Sequence, residues 1–126
     1  MHWPEYQELI QLARQEVDHI LARLPAPLST PARQLPLVFE PEPGADLVAD
    51  GIDPDTLGLF VGVPHNEGPS NDTGLPPQII LYLDNLWAES EGNASRFQEE
   101  VRTTFLHELG HYLGLDESDL DERGLG

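Results

Sequence analysis

The chain of 126 residues has no cysteine, no lysine and a single methionine, which stands at its first position. Without cysteine there is neither a disulfide framework nor a thiolate metal site, so any metal must be held by His, Asp or Glu. Without lysine, the positive charge rests on six arginines against 23 acidic residues, a formal net charge of -17. Phosphate binding needs clustered bases that displace counterions, so this balance opposes nucleic acid and anionic membranes as partners and favours basic or neutral ones. No apolar run approaches the roughly 20 residues that a membrane-spanning helix needs. The opening "MHWPEYQELIQLARQEV" lacks the basic n-region and continuous apolar core of a secretory signal, and the default reading is a cytoplasmic protein. Length suits one domain over 1–126, with any site built from that unit or from copies of it in a homo-oligomer.

Periodicity supplies a coarse architecture. Pro4 to Leu24 carries Tyr6, Leu9, Ala13, Val17, Ile20 and Leu24 at helical spacing, with Pro4 suited to a first turn, and predicts an amphipathic helix that covers a sheet. Leu24 to Pro36 is proline-rich and reads as a connector. "LVFE", Leu37 to Glu40, reads as a short strand closed by Pro41, Pro43 and Gly44. The aspartate-rich stretch after it fits a loop with one helical turn, and its spacing does not match an EF-hand. Leu57 to Val63 alternates around Gly58 and Gly62 and predicts an edge strand in which the glycines mark a bulge or a close backbone approach. A long loop with His65 follows; His65 there, like His19 on the first helix, reads as an exposed histidine.

Gln78 to Trp87 holds the strongest apolar run and is expected as the central strand, covered on both faces. The last helix starts at Asn93 or at Ser95, where Ser95 and Gln98 fit a capping box, and runs to Gly114. Its apolar stripe is Phe97, Val101, Phe105, Leu109, Tyr112 and Leu113.

That helix carries "HELGHYLG". His107 and His111 are four residues apart, so both side chains lie on one face within reach of a single ion, and neutral imidazoles bind zinc at roughly 2.0 to 2.1 Å. Glu108 sits one position round the helix, too far to be expected as a ligand but placed to take a proton from an attacking water and return it to a departing amine. Gly114 can adopt the left-handed conformation that stops a helix and turns the chain back. The acids that follow, Asp116, Glu117, Asp119, Asp121 and Glu122, are the candidate third ligands; Glu117 leads on spacing and Asp116 is second.

"HELGHYLGLDE" resembles the zincin metallopeptidases, and its His-Glu-x-x-His-x-x-Gly-x-x-acid form resembles the metzincins. More narrowly, the chain resembles the small bacterial zincin-like metallopeptidase family. The resemblance implies an α+β fold, a minimal zincin with a small mixed sheet, an N-terminal backing helix and a C-terminal active-site helix. It also implies zinc as the cofactor, His107, His111 and Glu117 as its ligands, Glu108 as the general base, and a peptide or protein substrate held along the edge strand at Leu57 to Val63. Two departures are that the chain has no histidine after position 111 and no methionine turn. The competing reading is a non-catalytic metal-binding or interaction module in which a further acid closes the coordination sphere. A third reading, the small ribonucleases with a three-histidine zinc motif, is opposed by the missing third histidine, by Glu108 and by the charge.

Overall fold

The first helix, α1 (Tyr6–Arg23), buries Leu9, Ala13, Val17 and Ile20 at helical intervals, as its period predicts. This is the opening element of a computed structural model that describes residues 3–62, 77–115 and 119. After α1 come α2 (Ala26–Gln34), β1 (Leu37–Glu40), α3 (Ala45–Ala49), β2 (Gly58–Val61), β3 (Gln78–Tyr82), α4 (Leu83–Glu89) and α5 (Ala94–Leu113).

The three strands form one mixed sheet in the order β1-β3-β2. β1 runs parallel to β3, with Leu37 opposite Ile79 and Glu40 opposite Tyr82. β2 runs antiparallel on the other side, with Gly58 opposite Leu81 and Val61 opposite Gln78. β3 is therefore central, and Ile79, Ile80, Leu81 and Tyr82 are all buried, so both of its faces are covered. Ile79 and Leu81 join α1 and α5 in one apolar cluster, where Leu9, Ala13 and Val17 meet Phe97, Val101, Phe105 and Leu109. Full burial of each large side chain contributes about 1.5–3 kcal/mol, so the α1 and α5 stripes fix the helices against the sheet.

Three boundaries differ from the sequence expectation. The expected strand Gln78 to Trp87 stops at Tyr82, and the chain passes directly into α4. Leu83, Leu86 and Trp87 have helical spacing within what reads locally as one apolar run, and they bury together only as a helix. The Leu24 to Pro36 connector contains a nine-residue helix, α2. Pro25 and Pro27 fall at its cap and first turn, where no backbone donor is required, and Pro31 forfeits a bond inside a short element that buries Ala32. Of the two caps offered by the sequence for α5, Asn93 is the one used: its Oδ1 accepts from the Arg96 backbone N–H at 3.0 Å. Strand β2 ends at Val61 because Gly62 leaves extended geometry at φ 116°. Val63 and His65 lie outside the described residues.

The approach to β2 is tied down by side chains. The Asp53 carboxylate accepts from the Asp55 backbone N–H at 2.9 Å, and Asn85 of α4 donates its Nδ2 to the carbonyls of Pro54 and Thr56 at 2.8 and 2.9 Å. The aspartate-rich stretch is thus a turn anchored to α4, with α3 as its one helical turn.

Candidate metal centre

At 3.6 residues per turn, the last turns of α5 present two adjacent stripes. Phe97, Val101, Phe105, Leu109 and Tyr112 form the buried one. Thr104, His107, Glu108 and His111 form the other, beside it. Glu108 stands on the border between them, which explains a burial unusual for its type: the residue is 8% exposed, whereas His107 and His111 are exposed. The helix then ends in the expected way. Gly114 takes φ 73° and ψ 28°, its N–H donates to the His111 carbonyl at 3.3 Å, and Leu115 N–H donates to the Gly110 carbonyl at 2.8 Å. This pair of bonds is the Schellman pattern, which satisfies the last carbonyls and turns the chain off the helix axis.

The rings of His107 and His111 lie 4.6 Å apart, inclined at 62°. One donor atom from each of His107, Glu108 and His111 falls within 4.8 Å of the others, a group able to hold a metal ion. Glu108 Oε2 is buried without a hydrogen-bond partner and lies 3.6 Å from His111 Nδ1, longer than a hydrogen bond. Burial pushes the Glu108 carboxyl above its ordinary 4.5, outweighing the opposite pull of His111 and His107. Two imidazoles are donors that zinc accepts, and the unpartnered buried oxygen of Glu108 beside them is what a cation and its bound water would satisfy.

Of the residues singled out in the sequence, the structure brings His107, Glu108 and His111 together. Glu108 was expected beside the ion, and its carboxylate lies within 4.8 Å of the histidine donor atoms. Glu117, Asp116, Asp121 and Glu122 lie outside the described residues, while Asp119 is described and is not part of the group. His19 stands apart on an exposed face of α1, its Nε2 3.3 Å from Arg23 Nη1. Sequence reasoning missed Thr104, which shares the site's stripe and packs under β2. Its signal was the spacing 104, 107, 111, with Gly58 supplying the space above it.

An α+β fold with a His-Glu-x-x-His pair on its closing helix defines the class: a minimal zincin. A family model described as zincin-like metallopeptidase matches residues 32–126, well over half of the chain, and the chain belongs to that family. No curated protein matches it. The family implies zinc, and no helix among the described residues is long and apolar enough to cross a membrane.

Proposed function

We propose that the protein is a zinc-dependent peptidase in which His107 and His111 bind the ion, Glu117 supplies the third ligand and Glu108 is the general base. The observation that carries this reading is the cluster of His107, Glu108 and His111 donors within 4.8 Å, with a buried Glu108 oxygen that has no hydrogen-bond partner among the described residues. Zinc held there supplies Lewis acidity toward a scissile carbonyl and toward water. The chain's own residues do the rest. Glu108 takes the proton of the attacking water and passes it to the leaving amine. An extended peptide adds to the edge of β2 that faces away from β3, where backbone groups supply affinity and the side chains of the strand supply selectivity. The net charge of -17 favours basic or neutral peptides as substrates and supports neither nucleic acid nor anionic membrane as a partner.

The test is zinc-loaded protein on a pool of internally quenched fluorogenic peptides. Glu108→Gln keeps the shape of the side chain and removes the base; turnover is expected to fall at least about 100-fold, at the low end of what a positioned general base contributes, while one zinc per chain remains bound. Equal turnover by the two proteins rules out the assigned mechanism. Tight zinc binding with no hydrolysis by either favours the metal-binding module instead.

A further inference from the structure

We infer that Gly58 is a positioning residue for this site, an inference that rests on the peptidase reading above. A Cβ at position 58 would lie 2.5 Å from Thr104 Cγ2, 3.2 Å from Leu81 Cδ2 and 3.3 Å from the Ile80 carbonyl oxygen. The first of these is closer than real side chains tolerate, so β2 rests on Thr104 only because residue 58 has no side chain. Thr104 is three residues before His107 and seven before His111, on the same stripe of α5. Two residues further along β2, on the same side of the strand, the Phe60 ring packs on Tyr112 at a centroid distance of 5.6 Å. The strand therefore touches α5 on both sides of the histidine pair, and contacts at Thr104 and Tyr112 bracket a span of about 12 Å of helix that contains His107, Glu108 and His111.

Other restraints leave one direction of escape. Along one edge β2 is bonded to β3, and its start is held by the Tyr82 N–H to Leu57 carbonyl bond at 2.9 Å and by the two Asn85 bonds. Among the described residues no strand pairs with the other edge. A methyl group at 58 therefore lifts the strand off α5. His107 and His111 belong to one helix and keep their mutual geometry, so the metal pair is undisturbed. What changes is the height of the free β2 edge above that pair, and with it the placement of a scissile carbonyl laid along the strand. Gly58 and Thr104 together act as the spacer between the substrate-binding strand and the metal-binding helix.

The experiment compares wild type, Gly58→Ala, Thr104→Ala, Gly58→Ala with Thr104→Ala, and Thr104→Leu, which crowds the same contact from the helix side. Each is measured for zinc affinity by chelator competition, thermal unfolding, and kcat and KM on the fluorogenic peptide pool. Gly58→Ala and Thr104→Leu are expected to lose about tenfold or more in kcat, the scale set by sub-ångström misplacement of reacting groups, with zinc affinity within about twofold of wild type. In the Gly58→Ala background Thr104→Ala is expected to bring kcat back to within about threefold of the Thr104→Ala single variant, because the opposing methyl is gone. Unchanged kcat in both crowding variants, loss of zinc affinity in step with kcat, or no rescue by the double variant overturns the assignment. Should Gly58→Ala alone fail to fold, Thr104→Leu and the double variant still decide it. A wild type indistinguishable from Glu108→Gln overturns the peptidase reading and this role with it.

Discussion

At the residue scale, two buried polar groups behave differently because their surroundings differ. Glu108 keeps a carboxylate on the border of the α5 core, where its Oε2 lacks a partner and the two imidazoles stand beside it. That is a costly place for a charge unless a cation shares it, so its burial makes functional sense only together with the histidines. Tyr82 is 0% exposed and its hydroxyl also has no hydrogen-bond partner among the described residues, where the one group able to hold a metal is His107, Glu108 and His111. Burial, and then the Glu40 carboxylate opposite it on β1, hold the Tyr82 phenol above its ordinary 10.0. Removing the hydroxyl removes a desolvated donor and little else. Tyr82→Phe is expected to leave stability unchanged or raise it by up to about 1 kcal/mol in urea unfolding. A loss larger than that would show that the hydroxyl is satisfied in solution.

At the element scale, α5 carries the chemistry and its two ends are fixed by different means. Asn93 satisfies an amide of the first turn through its side chain, and replacement by alanine is expected to cost about 1 kcal/mol. Gly114 closes the other end in the left-handed region, where a Cβ clashes with its own backbone. Gly114→Ala is expected to cost about 1–2 kcal/mol in equilibrium unfolding. If the chain beyond it supplies Glu117 as a ligand, zinc affinity falls as well, by tenfold or more if removal of this turn is as damaging as loss of a supporting outer-shell group. Chelator competition separates the two effects: a stability loss with zinc affinity intact would mean that nothing beyond Gly114 reaches the ion. The contrast with Asn93→Ala, which lies far along the helix from the histidines and leaves zinc affinity alone, makes the comparison internal to one element.

At the scale of the whole molecule, charge sets the pH response. Burial, and secondarily Glu42, raise the Asp84 carboxyl above its ordinary 3.8, and burial raises Glu108 in the same direction. A group whose folded value is raised binds its proton more tightly in the native state. Its stabilising contribution is complete below the unfolded value and is lost as pH rises through the folded one. Self-repulsion among the acids of a chain with net charge -17 acts the same way as they ionise. The metal-free protein is therefore expected to lose melting temperature as pH rises from the ordinary values of 3.8 and 4.5 through the raised folded ones, and Asp84→Asn is expected to shallow that decline. A melting temperature that rises with pH over this range contradicts the assignment. If residues 1–126 fold as one unit, the melt is a single transition, and zinc at 100 times its dissociation constant adds about 2.7 kcal/mol.

The sequence by itself determined the helices with a strong period, the central position of β3, the stop at Gly114 and the two histidines with their glutamate. Each of these depends on spacing within one segment, and a helical repeat of 3.6 residues brings positions 107, 108 and 111 together wherever the helix is placed. The close-approach role expected of the β2 glycines was legible for the same local reason, since a side chain's absence is visible in the sequence even when its neighbour is not. The partner was invisible: that Gly58 meets Thr104, and Gly62 the backbone of Pro77, follows from how β2 docks on α5 and beside β3. Tertiary structure alone also decided that Leu83 to Trp87 leave the sheet as a helix and that a proline-rich connector coils into α2. In both places local propensity is nearly balanced, and the apolar surface each segment finds to bury tips the choice. Whether Glu108 is a surface carboxylate or a buried one is likewise a property of its packing, because only the strand and helices around α5 can take that side chain out of water.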